Sequence, residues 1–276
     1  MENWKARASE LGVIMTGCKP PLTANQVAKV AELKAKDNPT DKQRIELGQL
    51  LEKQLHTPSL STTTKSKLKE YFNELHFGRS SDIRGKYTDK GIMVEEQAIT
   101  LVSEVLDIFL VKNRERRSNG YLTGEPDNVQ GIVRDIKSSW DLSTFPMFED
   151  ELPNNLYWWQ MQAYMELFDI DEAEVIYCLV DTPEMLILDE LRRVSWQLNH
   201  IELPQELEYE VRHNMTFGDI PKHQKVKRFA VKRDREQMAM VEPQVIRCRE
   251  YLKPQKSQIV PRPNQDAHRQ PSRMKG

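Results

Sequence analysis

Apolar positions recur along the chain at two periods, and the change from one to the other divides it. Near the start, Leu11 to Met15 forms an apolar patch that Pro20-Pro21 interrupts. Three helical segments are predicted next. The first runs from Thr23, a residue suited to an N-cap, to about Lys36. The second runs from Thr40 to about Leu55 and opens on a capping box, Thr40-Asp-Lys-Gln43. The third runs from Ser61 or Thr62 to about Leu75. Residues 77–91 read as a polar loop carrying Arg79, Arg84, Lys86 and Lys90. The clearest helical pattern spans about 92–112, where Ala98, Val102, Val105 and Phe109 recur at spacings of three and four and form one stripe. One step further back the stripe reaches Glu95. Glu96 aligns instead with Ile99, Ser103 and Asp107 on a more mixed face.

Beyond the charged stretch Lys112–Arg117 the pattern turns to strands. Tyr121-Leu122-Thr123 is one and Gly131 to Ser138 another, with Pro126-Asp127-Asn128 as the turn between them. A helix near 154–168 follows Pro153. Val175 to Val180 is a short apolar run with the look of a buried strand. Helices are predicted at 183–198, 204–214 and about 234–252. From Lys253 onward Pro, Gln, Ser and Arg dominate, so 254–276 reads as a disordered basic tail. The resulting organisation is a single domain over 1–253. It has a helical N-terminal insertion at about 22–78, a core at about 85–182 and C-terminal helices at 183–253.

Composition narrows the function classes. The chain has 276 residues, 38% hydrophobic and 30% charged, as expected of a globular protein with a wide charged surface. The formal net charge of −2 means that any nucleic-acid contact must come from local basic patches. No apolar run approaches the roughly 20 residues needed to span a bilayer, and the N-terminus lacks a secretory pattern. Cys18, Cys178 and Cys248 form no C-x-x-C pair and read as reduced thiols in a cytoplasm. The histidines form no H-x-H or H-E-x-x-H pattern and there is no Walker lysine motif. A zinc hydrolase and a self-contained ATP-driven motor are therefore not expected.

The candidate chemistry lies in Ile132-Val133-Arg134-Asp135-Ile136-Lys137. Alternation along a strand puts Asp135 and Lys137 side by side on one face. Asp127, at the turn just before, can approach Asp135. Two neighbouring carboxylates repel unless a cation lies between them. Hard oxygen ligands suit Mg²⁺, which keeps several waters and needs only one or two carboxylates. Such an ion polarises a phosphate and lowers the pKa of a bound water. Lys137 would orient that water or stabilise the developing charge, and Glu95 is placed to add a third carboxylate. Taken singly, an Asp-x-Lys on a strand is usually an ordinary solvated ion pair. The ordered succession of helix with Glu95, strand, Pro-Asp turn, Asp-x-Lys strand and helix is what distinguishes this one.

The string Gly124-Glu-Pro-Asp127 … Asp135-Ile-Lys137 resembles the signature of the PD-(D/E)XK nucleases. Within that superfamily the chain looks most like the phage recombination nucleases of the lambda-exonuclease and YqaJ type. Gly91-x-x-x-Glu95-x-x-Ala98 resembles the helix with that family's upstream glutamate. Gln160-Met-Gln-Ala-Tyr164 resembles its Q-x-x-x-Y helix, and Arg7-Ala-Ser9-Glu-Leu-Gly12 its N-terminal segment. The resemblance implies an α/β (α+β) fold, a restriction-endonuclease-like core with a mixed central β-sheet flanked by helices. It implies that Asp127, Asp135 and the Ile136 carbonyl ligate Mg²⁺, with Mn²⁺ as the alternative, and that Glu95 completes the shell directly or through water. It further implies that Lys137 is the catalytic lysine, steadied by Gln160 and Tyr164, and that Arg7 and Ser9 hold a DNA 5′-phosphate. The implied partners are double-stranded DNA ends, a single-strand annealing protein and further copies of the chain, since lambda-type relatives form ring trimers. Asp135 departs from the pattern, many relatives having Glu there, and Glu125 replaces a small residue.

The expected activity is 5′–3′ resection of duplex DNA ends. A structure-specific or repair endonuclease on the same fold is the second reading, and a non-catalytic DNA-binding relative the third. Lys65, Lys67 and Lys69 are candidate DNA grips, although alternating lysines more often mark a solvated helix face. Within Tyr157-Trp158-Trp159, core packing by Trp158 or Trp159 is set against stacking on bases.

Overall fold

The computed structural model describes residues 3–18, 22–55, 59–79 and 85–257. Pro20-Pro21, Arg84 and the part of the tail beyond Ser257 lie outside the described residues. Strand β1 (Ala6–Arg7) leads through a 3-10 turn (Ala8–Glu10) into α1 (Leu11–Ile14), followed by α2 (Ala24–Lys34), α3 (Asp41–Leu55) and α4 (Thr62–Phe77). Reciprocal side-chain caps open two of these helices, Thr23 with Gln26 at α2 and Thr40 with Gln43 at α3. Helix α4 buries Leu68, Tyr71 and Phe72 in the main core. The 22–78 segment is therefore only in part an insertion, since its last helix is built into the domain.

Next come α5 (Lys86–Met93) and α6 (Glu95–Leu106), then β2 (Arg117–Ser118), β3 (Leu122–Gly124) and β4 (Val133–Ser138). Helix α7 (Asn155–Phe168), β5 (Glu172–Cys178), α8 (Glu184–Gln197) and α9 (Gln205–Met215) follow. Strand β6 (Val226–Lys232), α10 (Arg235–Met238) and α11 (Val241–Ser257) complete the described chain. Helix α11 thus continues past the tail boundary expected at Lys253.

The strands form two three-stranded mixed sheets, β1-β3-β2 and β4-β5-β6. Strand β4 runs parallel to β5, with Asp135 opposite Val175 and Lys137 opposite Tyr177, and β6 runs antiparallel to β5. Helix α7 packs against strands of both sheets. It buries every residue from Trp159 to Met165, which is why its sequence is apolar nearly all round. The main core gathers Leu11, Ile14, Leu122, Val175, Phe229 and Leu252 around it. On the other side of the second sheet, Ala98 and Val102 of α6 cover Ile176 and Cys178. Among the described residues no helix is long and apolar enough to cross a membrane.

Several sequence expectations need correction. The supposed loop at 77–91 contains α5, and Lys90 within it is fully buried rather than basic surface. The long helix expected at 92–112 is two helices broken at Val94. The second ends at Asp107, whose left-handed φ of 51° caps α6, so Phe109 lies beyond the stripe and is 84% exposed. The strands at 121–123 and 131–138 belong to different sheets, and the turn between them closes on a single antiparallel bridge, Asn128 to Arg134. Strand β6 has no counterpart in the sequence reading, although Phe229 and Val231 alternate with exposed Arg228, Ala230 and Lys232.

Candidate active site

The site is built on the free edge of β4. In the sheet order β4 is outermost, so alternate backbone groups of this strand have no neighbouring strand to bond. The turn supplies the partners. Asn128 exchanges both backbone hydrogen bonds with Arg134, and two residues on the Ile136 N–H donates to Asp127 Oδ2 at 2.7 Å. This fixes the Asp127 carboxyl beside the strand that bears Asp135. Because a residue's N–H and C=O leave an extended strand on the same side, the Ile136 carbonyl faces the same edge.

Asp135 is buried and Lys137 half-buried on the opposite lateral face from Ile136, under α7. Gln160 of α7 joins them, its Nε2 donating to Asp135 Oδ1 at 3.1 Å and its Oε1 accepting from Lys137 Nζ at 3.4 Å. The same Nε2 lies 3.0 Å from the Tyr164 hydroxyl, one helical turn on. Lys137 Nζ also lies 4.6 Å from the centre of the Tyr157 ring. Tyr157, Gln160 and Tyr164 recur at spacings of three and four on α7. That spacing is the sequence signal for Tyr157, which lies on the site face of α7. Trp159 of that run is buried in the core.

Glu95 opens α6 on the rim. Together with Asp127, Asp135, Lys137, Gln160 and Tyr164 it lines a cleft of about 610 Å³. Its carboxylate is paired with Lys112 at 2.5 Å. Arg7 and Ser9 lie off the cleft wall, in the N-terminal turn. Arg7 is bound to Glu74 at 2.9 Å and lies over the Tyr71 ring at 5.2 Å, while Ser9 is exposed. The turn packs against α7 and β3, which support the site. A Cβ on Gly124 would fall 2.7 Å from Tyr164 Cε1 and 2.8 Å from Ala8 Cβ, so only glycine fits where β3, α7 and the turn meet. Lys67 is taken up by Glu10 and Glu70, which removes it as a free DNA grip.

The electrostatics follow from the packing. Desolvation and the adjacent Asp135 carboxylate push Asp127 up to about 7, against the Ile136 N–H and Lys137, which pull it down. Burial presses on Lys137 in the opposite sense, but the Asp135 carboxylate outweighs it and the ammonium ends above its ordinary range. Burial raises the Tyr164 hydroxyl, with Asp135 adding to the effect, so this group stays a neutral phenol.

Among the described residues no group of three or more His, Cys, Asp or Glu side chains is gathered tightly enough to hold a metal alone. The donor set nonetheless suits a hard cation. Lys137 Nζ lies 2.5 Å from Asp135 Oδ2, while Asp127, buried beside that carboxylate and repelled by it, has no cation paired with it among the described residues. Two carboxylates and a strand-edge carbonyl are enough for Mg²⁺, whose remaining positions water fills.

Fold and site together are those of a nuclease, and solved exonucleases share the fold. The chain is similar to the crystal structure of a phage-related exonuclease from Haemophilus somnus 129PT. That likeness has 26% identity and a TM-score of 0.66, and it covers 94% of this chain and 97% of that one. The fold is also that of an alkaline exonuclease from Laribacter hongkongensis, with 10% identity, a TM-score of 0.53 and coverage of 93% and 91%. No family model and no curated protein matches the chain.

Proposed function

We propose that the protein is a Mg²⁺-dependent exonuclease that resects duplex DNA from its ends in the 5′–3′ direction. The observation that carries this reading is the bridge of Gln160 between Asp135 and Lys137, set against Asp127 on the Ile136 N–H. Asp127, Asp135 and the Ile136 carbonyl would hold the ion, with Glu95 joining them directly or through water. Bound Mg²⁺ supplies polarisation of the scissile phosphate and a lowered pKa for the attacking water, and Mn²⁺ suits the same oxygen donors. Lys137, kept cationic by Asp135, donates to the phosphate oxygens as negative charge builds there and is not a general base. Gln160 fixes that ammonium, and the Tyr157 ring packs against it at 4.6 Å. The resemblance of its motifs to the lambda-exonuclease and YqaJ type further implies a single-strand annealing protein as the consumer of the product and a multimeric assembly on DNA.

The test is digestion of linear, nicked and closed circular duplexes with Mg²⁺ or EDTA, alongside Lys137→Ala. Linear DNA alone should be degraded, and EDTA or the substitution should abolish the reaction. Activity surviving Lys137→Ala would overturn the site assignment, and cutting of closed circles would replace the exonuclease with an endonuclease.

A further inference from the structure

Glu95 and Lys112 make an ion pair at the mouth of the cleft, and their surroundings show how that pair is aimed. The segment from Phe109 to Asn113 is tied along the loop that carries Asp127. Asn113 N–H donates to the Asp127 carbonyl at 2.7 Å, its Nδ2 donates to the Pro126 carbonyl at 3.0 Å, and Asn128 Nδ2 donates to the Val111 carbonyl at 2.8 Å. Lys112 therefore stands beside Asp127 on a strap fastened to the same loop, and its ammonium reaches Glu95 Oε2 at 2.5 Å. Glu95 in turn acts electrostatically on Asp127, helping to raise its pKa. A second cation repeats the pattern, with Arg116 reaching Glu125 at 3.1 Å, two residues before Asp127.

Both side chains of the Glu95–Lys112 pair are about one-third exposed, 34% and 38%. Ion pairs this open to water are weak and easily exchanged. A divalent cation between Asp127 and Asp135 offers Glu95 a stronger partner, and a DNA phosphate entering the cleft offers Lys112 one. Each charge is neutralised in the empty cleft and has a better counter-ion in the loaded one.

Resting on the metal-dependent reading above, we propose that Lys112 is a positioning residue that occupies Glu95 in the empty cleft and exchanges it for a DNA backbone phosphate. Glu95 is thereby released toward the metal as substrate binds. Metal and DNA then favour one another's binding through one ion pair, because each frees the partner the other needs.

The experiment is calorimetric titration of the full-length, metal-free protein with Mn²⁺ in the absence of DNA. Asp135→Asn should abolish binding, which tests the metal centre separately. Lys112→Met should tighten Mn²⁺ binding about fivefold, the scale of one exposed pair. Glu95→Gln alone should weaken it, since the ion is the stronger partner of Glu95, and in that background Lys112→Met should bring no gain. An unchanged or weaker affinity in Lys112→Met overturns the proposal. So does a gain that persists without Glu95, which would mark simple repulsion between Lys112 and the ion. In a cleavage-silent Lys137→Met background with Mg²⁺, Lys112→Met should also weaken duplex binding and reduce its salt slope by about one. An unchanged slope overturns the transfer to phosphate.

Discussion

Asp127 and Asp135 share a small desolvated space, and the consequence at the residue scale is competition between a proton and a cation. With Asp127 pushed up to about 7, the metal-free site retains a proton at neutral pH that a divalent ion must displace. Mn²⁺ affinity should therefore fall about fivefold between pH 7 and pH 6 and level off above pH 8, as calorimetry at those pH values will show. The folded value lies above the ordinary 3.8, so the folded chain binds more protons than the unfolded one between about pH 4 and 7. This group's contribution to metal-free stability is thus complete below that window and is lost as pH rises through it. Two neighbouring glutamines of α7 separate function from scaffolding. The side-chain hydrogen bonds of Gln160 go to site residues, and Gln160→Ala should reduce kcat about 10- to 100-fold, beyond a stability loss of about 1–3 kcal/mol from the buried Asp135 oxygen left without its donor. Gln162 is buried on the far side, donating to the Lys232 carbonyl and accepting from the Asp234 N–H, both at 2.8 Å. Gln162→Ala should lower stability by about 1–3 kcal/mol and leave kcat nearly unchanged.

At the element scale, the parts legible in the sequence are those whose signal is local. Asp127, Asp135 and Lys137 stand out because strand alternation and one turn suffice to bring them together. Gln160 and Tyr164 stand out because a single helical turn separates them. Helix α5 was hidden because its decisive residue, Lys90, looks like surface. Its ammonium is buried, donating to the Ser139 and Trp140 carbonyls at 2.8 and 2.9 Å, in the turn that leaves the catalytic strand. Only the fold brings those acceptors to a helix some fifty residues earlier. Strand β6 carried an alternation of its own, but its place beside β5 depends on pairing across a similar distance. Lys90 also makes a test of α5. Desolvation pulls it down from 10.5 to about 8, so between those values the unfolded chain holds the extra proton and stability from this group rises with pH. Lys90→Met leaves two buried carbonyls without their donor and should cost about 1.5–3 kcal/mol at pH 7. Urea unfolding at pH 7 and 9.5 should show the wild-type gain over that interval, absent in the variant.

For the whole molecule, the open question is how an edge-strand site comes to work from a DNA end. We propose that the N-terminal turn supplies the answer. That turn is built against α7 and β3, with Gly124 of β3 packed between its Ala8 and the Tyr164 ring that braces the site. Any ligand seated on the turn is thus held rigidly relative to the cleft. Its two candidate contacts are not equivalent. Both are exposed, but Arg7 is paired with Glu74 and lies over Tyr71 of α4, whereas the Ser9 hydroxyl has no partner among the described residues. We expect Ser9 to read the terminal phosphate and Arg7 to hold the turn onto α4. The rate ratio between 5′-phosphorylated and 5′-hydroxyl linear duplexes separates the two roles. Ser9→Ala should bring that ratio close to one while Tm and Mn²⁺ affinity stay at wild-type values. Arg7→Ala should lower Tm and slow both substrates alike, leaving the ratio intact. A phosphate preference that survives Ser9→Ala would move end recognition to another surface, with the metal centre unaffected. A preference abolished by Arg7→Ala at unchanged Tm would make the guanidinium, released from Glu74, the group that binds the phosphate.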